Sequence, residues 1–337
     1  MKKISCYFLF GFLTLASAGQ NRPWTNLVTP RMRVIIDNDF GGDPDGLFQL
    51  AHSLLSPSIE IRGIIGSHLR AGDGFDSSRV QADNAARKAR EVLQRIDPTS
   101  RIPVIAGSNQ AMINDSTPVS SAGVNLIIRE ALRTDSQLPL YVVCGAGLTE
   151  IASALLKEPS IASRLTLVWI GGSEYPGTAL PPPNFSTTEY NTAIDIAAVK
   201  TVFNRSSVAI WQVPRNAYRQ AIFSYAELLL KVRPRGKIGE YLCGQLEQIM
   251  KITARFRLNL GEVYVLGDSP LVLLTALQSS FEADPASSDY ILVARPKIND
   301  LGNYDPSRSS GTIRVYTRLD LRLMFEDFIA KLRLIAP

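Results

Sequence analysis

Histidine and cysteine are scarce in this sequence. Its 337 residues include two histidines and three cysteines, and no two cysteines have the spacing of a zinc-binding CxxC pair. Zinc centres are built mainly from several histidine and cysteine ligands. The scarcity therefore excludes a His-rich or Cys-rich zinc centre, and any bound metal must be held by oxygen.

The few cysteines leave one question open. Cys6 lies in an N-terminal apolar segment, and Cys144 and Cys243 are the two beyond it. These two can pair in an oxidising compartment, or Cys144, which ends the apolar run LPLYVVC, can be a buried free thiol. The sequence is compatible with both alternatives.

Long apolar runs are also missing, except at the N-terminus. Two lysines precede the apolar run 4–15, and the small residues ASA follow it. This order is typical of a signal peptide. The alternative, a membrane anchor, is disfavoured because a spanning helix needs about 20 apolar residues. We therefore predict an exported protein, periplasmic or secreted, with a signal peptide over 1–18, a linker over 19–32 and one domain over 33–337.

Positive charge is not concentrated in any segment. The formal net charge falls from +5 to +3 without the two N-terminal lysines, and the other basic residues are spread along the chain. Proteins that bind nucleic acids usually carry a basic patch or stripe. We predict a small-molecule ligand, no nucleic-acid partner and, after removal of the signal peptide, no membrane partner.

The sequence does contain a repeated alternation of apolar strands and helical segments. Strands that are apolar throughout are typical of sheets covered on both faces, and their alternation with helices indicates parallel strands joined by right-handed crossovers. The predicted fold class is α/β, with an open, mostly parallel sheet flanked by helices and a Rossmann-like core. Strands are predicted at 33–36, 59–66, 102–106, 138–144, 165–170, 208–213 and 314–319, and the main helices at 47–55, 78–95, 124–132, 148–156, 194–203, 225–252 and 321–334.

Four aspartates directly follow the first predicted strand, in the stretch DNDFGGDPDG: Asp37, Asp39, Asp43 and Asp45. In open parallel sheets, ligands bind at the carboxyl ends of the strands. Crowded carboxylates repel one another unless they share a positive charge, and a hard divalent ion with oxygen ligands, calcium or magnesium, supplies it. The alternative is a polar turn whose aspartates cap the next helix.

Five elements in this order resemble the inosine-uridine-preferring nucleoside hydrolase family. They are the aspartate stretch, GLT at 147–149, GG at 171–172, EYN at 189–191 and DSPL at 268–271, and the resemblance runs from Arg33 to about Leu277. It implies a single α/β domain that hydrolyses the N-glycosidic bond of ribonucleosides to free base and ribose. It also implies a tightly held calcium ion and a homo-oligomer, a dimer or tetramer.

The resemblance assigns roles position by position. Asp39 is implied to bind calcium and to act as the general base on the attacking water, with Asp37 supporting the metal site. The other implied metal ligands are the backbone carbonyl of Thr149 and the side chains of Asp268 and Asp45. The implied substrate contacts are Asp43, Asp45, Glu189, Asn191 and Asn184. Carboxylates around the sugar suit this reaction because its transition state is oxocarbenium-like and positively charged.

Three positions depart from the family pattern. Gly46 stands where a second adjacent aspartate, a calcium ligand, is expected, so either Asp45 or Asp43 replaces it or the metal is bound more weakly. Gly267 stands where many members have a histidine that protonates the leaving base. His68 lies where an asparagine usually contacts substrate, and it is either a catalytic residue or a structural hydrogen-bonding partner.

Without the histidine, aromatic side chains are candidates for activating the base. Each is also a candidate core residue. The four are Trp169, Tyr175, Tyr190 and Tyr264.

Other functions remain to be weighed. A non-catalytic nucleoside-binding or ribosyl-binding protein on the same fold is plausible because of Gly46 and Gly267, and an enzyme acting on a different ribosyl compound is a further alternative. A phosphatase of the haloacid dehalogenase type also has a DxD loop, but the sequence Phe40-Gly41-Gly42 does not fit its pattern.

Overall fold

The computed structural model of the chain describes residues 27–183, 188–255, 257–279, 287–305 and 311–336. The predicted signal peptide, most of the predicted linker and Asn184 lie outside these ranges. Within them, we find no helix that combines the length and the apolarity needed to cross a membrane.

An eight-stranded sheet forms the centre of the molecule. Its strand order is β3-β2-β1-β4-β5-β6-β12-β9, and every neighbouring pair is parallel except β12 and β9. This confirms the predicted α/β fold with a mostly parallel sheet. The strands are β1 Met32–Asn38, β2 Ile59–Gly66, β3 Val104–Ala106, β4 Leu140–Cys144, β5 Leu165–Ile170, β6 Ala209–Val213, β7 Ile222–Ser224, β8 Val263–Val265, β9 Ser288–Ala294, β10 Lys297–Ile298, β11 Tyr304–Asp305 and β12 Thr312–Leu319.

Helices cover both faces of this sheet. A 3₁₀ turn at Pro159–Ser163 and a π-helical turn at Leu228–Val232 accompany them. The helices are α1 Asp45–Leu54, α2 Gln81–Ile96, α3 Ala122–Leu132, α4 Thr149–Lys157, α5 Tyr190–Ile194, α6 Ile196–Arg205, α7 Arg215–Tyr218, α8 Tyr225–Glu227, α9 Gly236–Arg255, α10 Pro270–Leu273 and α11 Leu321–Ile335.

The two faces of strand β1 point into two separate cores. Val34 and Ile36 pack with residues of α1, α2, α9 and α11, whereas Ile35 packs with residues of α3, α4 and α6. Alternate side chains of a strand point to opposite faces, so a strand covered on both sides must be apolar at every position. The apolar run at the start of the described chain therefore becomes the middle of the sheet.

The two remaining cysteines lie in different cores. Cys144 belongs to β4 and Cys243 to α9, and both are buried free thiols. The free-thiol alternative is therefore the one realised in the structure.

A buried polar contact joins helix α1 to the last helix, α11. His52 Nε2 lies 2.7 Å from Asp327 Oδ2, and Lys331 donates to Ser56 Oγ at 2.9 Å. Because α1 begins at Asp45, this contact fixes the far end of the helix that starts in the aspartate stretch.

Candidate functional site

A cavity of about 180 Å³ opens at the carboxyl edge of the sheet. The loops after β1, β2, β4 and β5 meet there, together with α5, α7 and the turn between β8 and α10. This is the convergence that the parallel strand order predicts. Its lining residues are Asp39, Asp43, Asp45, Leu69, Phe75, Gly145, Ile170, Glu189, Tyr190, Asn191, Tyr218, Gly267 and Asp268.

Four carboxylates form one side of the cavity, which we call the acidic wall: Asp39, Asp43, Asp45 and Asp268. Three of them come from the loop between β1 and α1. The loop is closed by a bond from Gly42 N–H to the Asp39 carbonyl (2.7 Å), and Asp43 Oδ1 accepts from the Asp45 N–H (3.0 Å). Asp268 reaches them from a segment 223 or more residues later in the chain.

The carboxyl groups of the acidic wall are costly to ionise together. Burial, followed by the charge of Asp268, raises the pKa of Asp39 and of Asp45 well above the usual range. Burial raises the pKa of Asp268 to about 8, and the neighbouring Asp43 adds to the shift. Among the described residues that line the cavity there is no lysine, arginine or histidine to offset this charge.

The chemistry of this wall suits a hard cation. Carboxylate oxygens are the ligands that calcium and magnesium prefer, and a shared divalent charge relieves the mutual repulsion. In the described part of the chain, no three acidic, histidine or cysteine side chains are already grouped at metal-ligand spacing. The donor type and the charge of the acidic wall fit a bound cation, whereas the spacing of its carboxylates in this structure is not that of a ligand set.

Asp45, not Asp43, approaches Asp268. A hydrogen bond with Asp45 is among the influences on the pKa of Asp268, whereas Asp43 acts on that group through its charge. Gly46 itself has no room for a ligand, since an added Cβ would lie 2.9 Å from Asn38 Nδ2. The replacement of the missing carboxylate by Asp45 or by Asp43 stays a prediction.

Glu189 and Asn191 are fixed in the cavity by α5. Glu189 caps this helix, accepting from the N–H groups of Asn191 (3.1 Å) and Thr192 (3.0 Å), and its side chain is completely buried. Asn191 donates through Nδ2 to the carbonyl of Ile170 (2.8 Å) and that of Gly145 (3.2 Å). Glu189 is therefore an anchored group of the site and not an exposed loop charge.

Phe75, Tyr190 and Tyr218 also line the cavity, and we call these three residues the aromatic wall. Tyr190 donates to Asp73 Oδ2 (2.7 Å), and Tyr218 donates to Glu189 Oε1 (2.9 Å). A Cβ on Gly267 would lie 3.2 Å from the ring of Tyr218, so this ring fills the space beside the glycine.

Of the four aromatic candidates from the sequence, Tyr190 is the one among the described lining residues of the cavity. Trp169 is core: it is fully buried, donates to the Ala146 carbonyl (3.0 Å) and packs against Phe203. Tyr175 stacks on Tyr304 with 4.4 Å between the ring centroids. Tyr218 was missed, because nothing in the local pattern of PRNAYRQ marks it.

Asp37, His68 and Thr149 lie behind the cavity wall. His68 Nδ1 lies 2.8 Å from the Leu69 carbonyl, and its Nε2 lies 2.9 Å from Thr149 Oγ1, which donates to Asp195 (2.7 Å). Asp37 accepts a short bond from Ser67, and burial raises its pKa to about 7. These contacts favour the hydrogen-bonding interpretation of His68. The catalytic role of His68 and the metal roles of Asp37 and Thr149 stay predictions.

Comparison with known proteins adds independent information. A family model described as inosine-uridine preferring nucleoside hydrolase matches residues 34–289. Comparison with curated proteins gives no match.

Several solved structures share the fold. An inosine-uridine preferring nucleoside hydrolase from Bacillus anthracis aligns with a TM-score of 0.65 and 17% identity over 90% of this chain and 99% of that chain. A purine-preferring ribonucleoside hydrolase from Gardnerella vaginalis aligns with a TM-score of 0.67 and 20% identity, with 90% and 99% covered. A plant nucleoside hydrolase aligns with a TM-score of 0.67 and 16% identity over 91% of this chain and 100% of that chain. At these identities the structures show a common fold.

Proposed function

The chain belongs to the inosine-uridine preferring nucleoside hydrolase family, and from this premise we propose that it hydrolyses the N-glycosidic bond of ribonucleosides to free base and ribose. The observation that carries the proposal is the acidic wall. Four carboxylates face a cavity that Glu189 and Asn191 also line, at the edge of the sheet where such folds bind ligands.

We propose that the site uses calcium. The side chains of Asp39, Asp45 and Asp268 would hold the ion, together with the backbone carbonyl of Thr149, and Asp37 would support them from behind the wall. When bound, calcium lowers the pKa of a water molecule and orients it beside the sugar.

Asp39 is the proposed general base. A carboxylate oxygen of Asp39 takes a proton from the water that attacks the anomeric carbon. The glycosidic C–N bond breaks, and its electron pair leaves with the nucleobase.

The ribose would lie against Asp43, Asp45, Glu189 and Asn191. Their anchored polar groups bind hydroxyls and place negative charge around the ring as positive charge develops on it. Glu189 is held by five donors on four residues, which keeps its carboxylate oriented before substrate arrives. Asn184, the remaining predicted ribose contact, lies outside the described residues.

The leaving base would lie against the aromatic wall. Burial raises the pKa of Tyr190 and of Tyr218 above the usual range, so both phenols keep their protons at neutral pH. Gly267 supplies no acid, so the leaving nucleobase would take its proton from solvent or from one of these phenols, whose raised pKa makes proton release harder.

We further propose that the mature protein acts outside the cytoplasm, in the periplasm or as a secreted protein, as a homo-oligomer. The support for export is the N-terminal sequence over 1–18. The support for a homo-oligomer is the family resemblance.

The test is ribose release by the purified mature chain from inosine, uridine, adenosine, guanosine and cytidine, with calcium and with a chelator. Turnover that the chelator abolishes is the expected result. Tight nucleoside binding with no ribose release would instead identify a non-catalytic binding protein and overturn the proposed hydrolysis.

A further inference from the structure

The side chain of Asn38 lies between two glycines at the base of the acidic wall. It is completely buried at the end of β1. A Cβ on Gly46 would lie 2.9 Å from Asn38 Nδ2, and a Cβ on Gly145 would lie 2.4 Å from the same atom. A side chain at either glycine would therefore overlap the Asn38 amide in its present position.

The same amide connects two members of the acidic wall. Asn38 Nδ2 donates to Asp268 Oδ2 at 2.9 Å, and Asn38 Oδ1 accepts from the Asp39 N–H at 2.8 Å. One planar group thus sets the position of the Asp268 carboxylate relative to the backbone of Asp39. Donation to a carboxylate also favours its ionised form, which opposes the effect of burial on Asp268.

We propose that Asn38 is a positioning residue, which holds the Asp268 carboxylate in the orientation that binds a divalent cation, and that glycine at position 46 is what leaves room for it. This inference rests on the calcium site of the proposed function and adds to it a residue outside the ligand set. Asn38 acts through Asp268 and does not itself contact the ion.

The proposal explains why Gly46 departs from the family pattern. A side chain at position 46 would meet the Asn38 amide at its Nδ2, Cγ and Oδ1 atoms, at 2.9, 3.1 and 3.2 Å. The Asn38 amide also packs closely against Gly145, where an added Cβ would lie 2.4 Å from its Nδ2 atom. Asn38 and Gly46 therefore depend on each other. Glycine at position 46 provides no carboxylate, but it leaves the space in which the Asn38 amide donates to Asp268.

The expected size of the effect follows from other metal sites. Removing a hydrogen-bonding partner of a metal ligand typically weakens metal affinity about 10-fold to 100-fold. Two changes that break the same contact should not multiply their effects, because the second has nothing left to remove.

The experiment is a double-mutant cycle on calcium affinity, measured by titration calorimetry on the full mature chain and its N38A, G46A and N38A/G46A variants. N38A is expected to weaken binding about 10-fold to 100-fold. G46A is expected to weaken it comparably, because its Cβ displaces Asn38 from Asp268. The double variant should bind as N38A does.

The matched control is G244A. Gly244 is exposed in α9, and a Cβ there meets no atom within 4 Å. It should leave calcium affinity unchanged. Unchanged affinity in N38A, or effects of N38A and G46A that multiply, would overturn the proposal.

A second measurement separates this proposal from the calcium site itself. If the wild-type chain binds no calcium, the metal half of the proposed function fails. Thermal unfolding in chelator of the wild type, N38A, G46A and N38A/G46A then tests whether Asn38 and Gly46 interact. G46A is expected to lower the Tm, and to lower it less in the N38A background. An equal decrease in both backgrounds would show that the two residues do not act together.

Discussion

The two walls of the cavity are built in different ways. The acidic wall is fixed by hydrogen bonds that start at the ends of strands: Asn38 joins Asp39 to Asp268, and Asp45 begins a helix whose other end is clamped to α11. The aromatic wall comes from the loop between β2 and α2 and from two short helices, α5 and α7, and Phe75 is 45% exposed. The comparison teaches that the acidic wall is tied to the central sheet, whereas the aromatic wall is held by hydrogen bonds of Tyr190 and Tyr218 and includes the partly exposed Phe75.

The largest effect is expected from replacing the proposed base. D39N keeps the shape of the side chain but cannot accept the proton of the attacking water, so kcat for ribose release should fall about 10²-fold to 10⁴-fold. Calcium affinity measured on the same variant separates loss of the base from loss of a ligand. Retention of most of the wild-type kcat would remove Asp39 from the proposed role.

The next effect concerns pH and stability. The folded-state pKa values of Asp268 and Asp37 are raised, to about 8 and about 7. A group with a raised folded-state pKa contributes its stability below the unfolded-state pKa and loses it as the pH rises through the folded-state value. The metal-free protein should therefore lose stability as the pH rises from about 4 to about 8.

Calcium should reverse that loss at the upper end. A ligand at 100 times its Kd stabilises the folded state by about 2.7 kcal/mol. Thermal unfolding at pH 5.5 and pH 8.5, with calcium and with chelator, checks both statements. A metal-free Tm that rises toward pH 8.5 would contradict the electrostatic account of the acidic wall.

A smaller effect is expected on the aromatic wall. Y190F removes a hydroxyl from the side of the cavity proposed to hold the nucleobase. We expect kcat to decrease about 10-fold, which corresponds to a barrier increase of about 1.4 kcal/mol. The decrease should be seen with inosine and should vanish with a riboside whose leaving group needs no protonation. Y175F, which alters a phenol outside the cavity, is the control.

The smallest effect on activity is expected at His68. Its ring nitrogens lie against Leu69 and Thr149 behind the wall, so H68Q should lower the free energy of unfolding by about 1–3 kcal/mol through unpaired buried groups. The pH profile of kcat/KM should keep its shape. Loss of one limb of that profile would instead support a catalytic histidine.

The middle of the fold could be read from the sequence because its strands are buried on both faces. The bounds of β2 and β5 agree with the prediction residue for residue. Strand β3 begins at Val104 and not at the predicted Ile102, since Pro103 offers no N–H to a neighbouring strand. The edge strand β9 was missed, because Ile291 and Leu292 are exposed and give no clear alternation.

Short motifs in the sequence predict several residues of the candidate site, but not the contacts between them. Asp39, Asp45 and Asp268 were identified from short motifs. The hydrogen bond between Asn38 and Asp268 joins positions 230 residues apart, and no local sequence pattern predicts it. Tyr218 is similar, since it reaches Glu189 from a helix of four residues.

The contact between α1 and α11, formed by His52 and Asp327, has a consequence for the order of folding. His52 and Asp327 are 275 residues apart, and their contact secures the far end of the helix that begins at Asp45. A nascent chain lacking its last helix therefore carries all the aspartates without a finished acidic wall. Closure of so distant a contact is slow compared with local helix formation, so the far end of α1 is fixed late in folding.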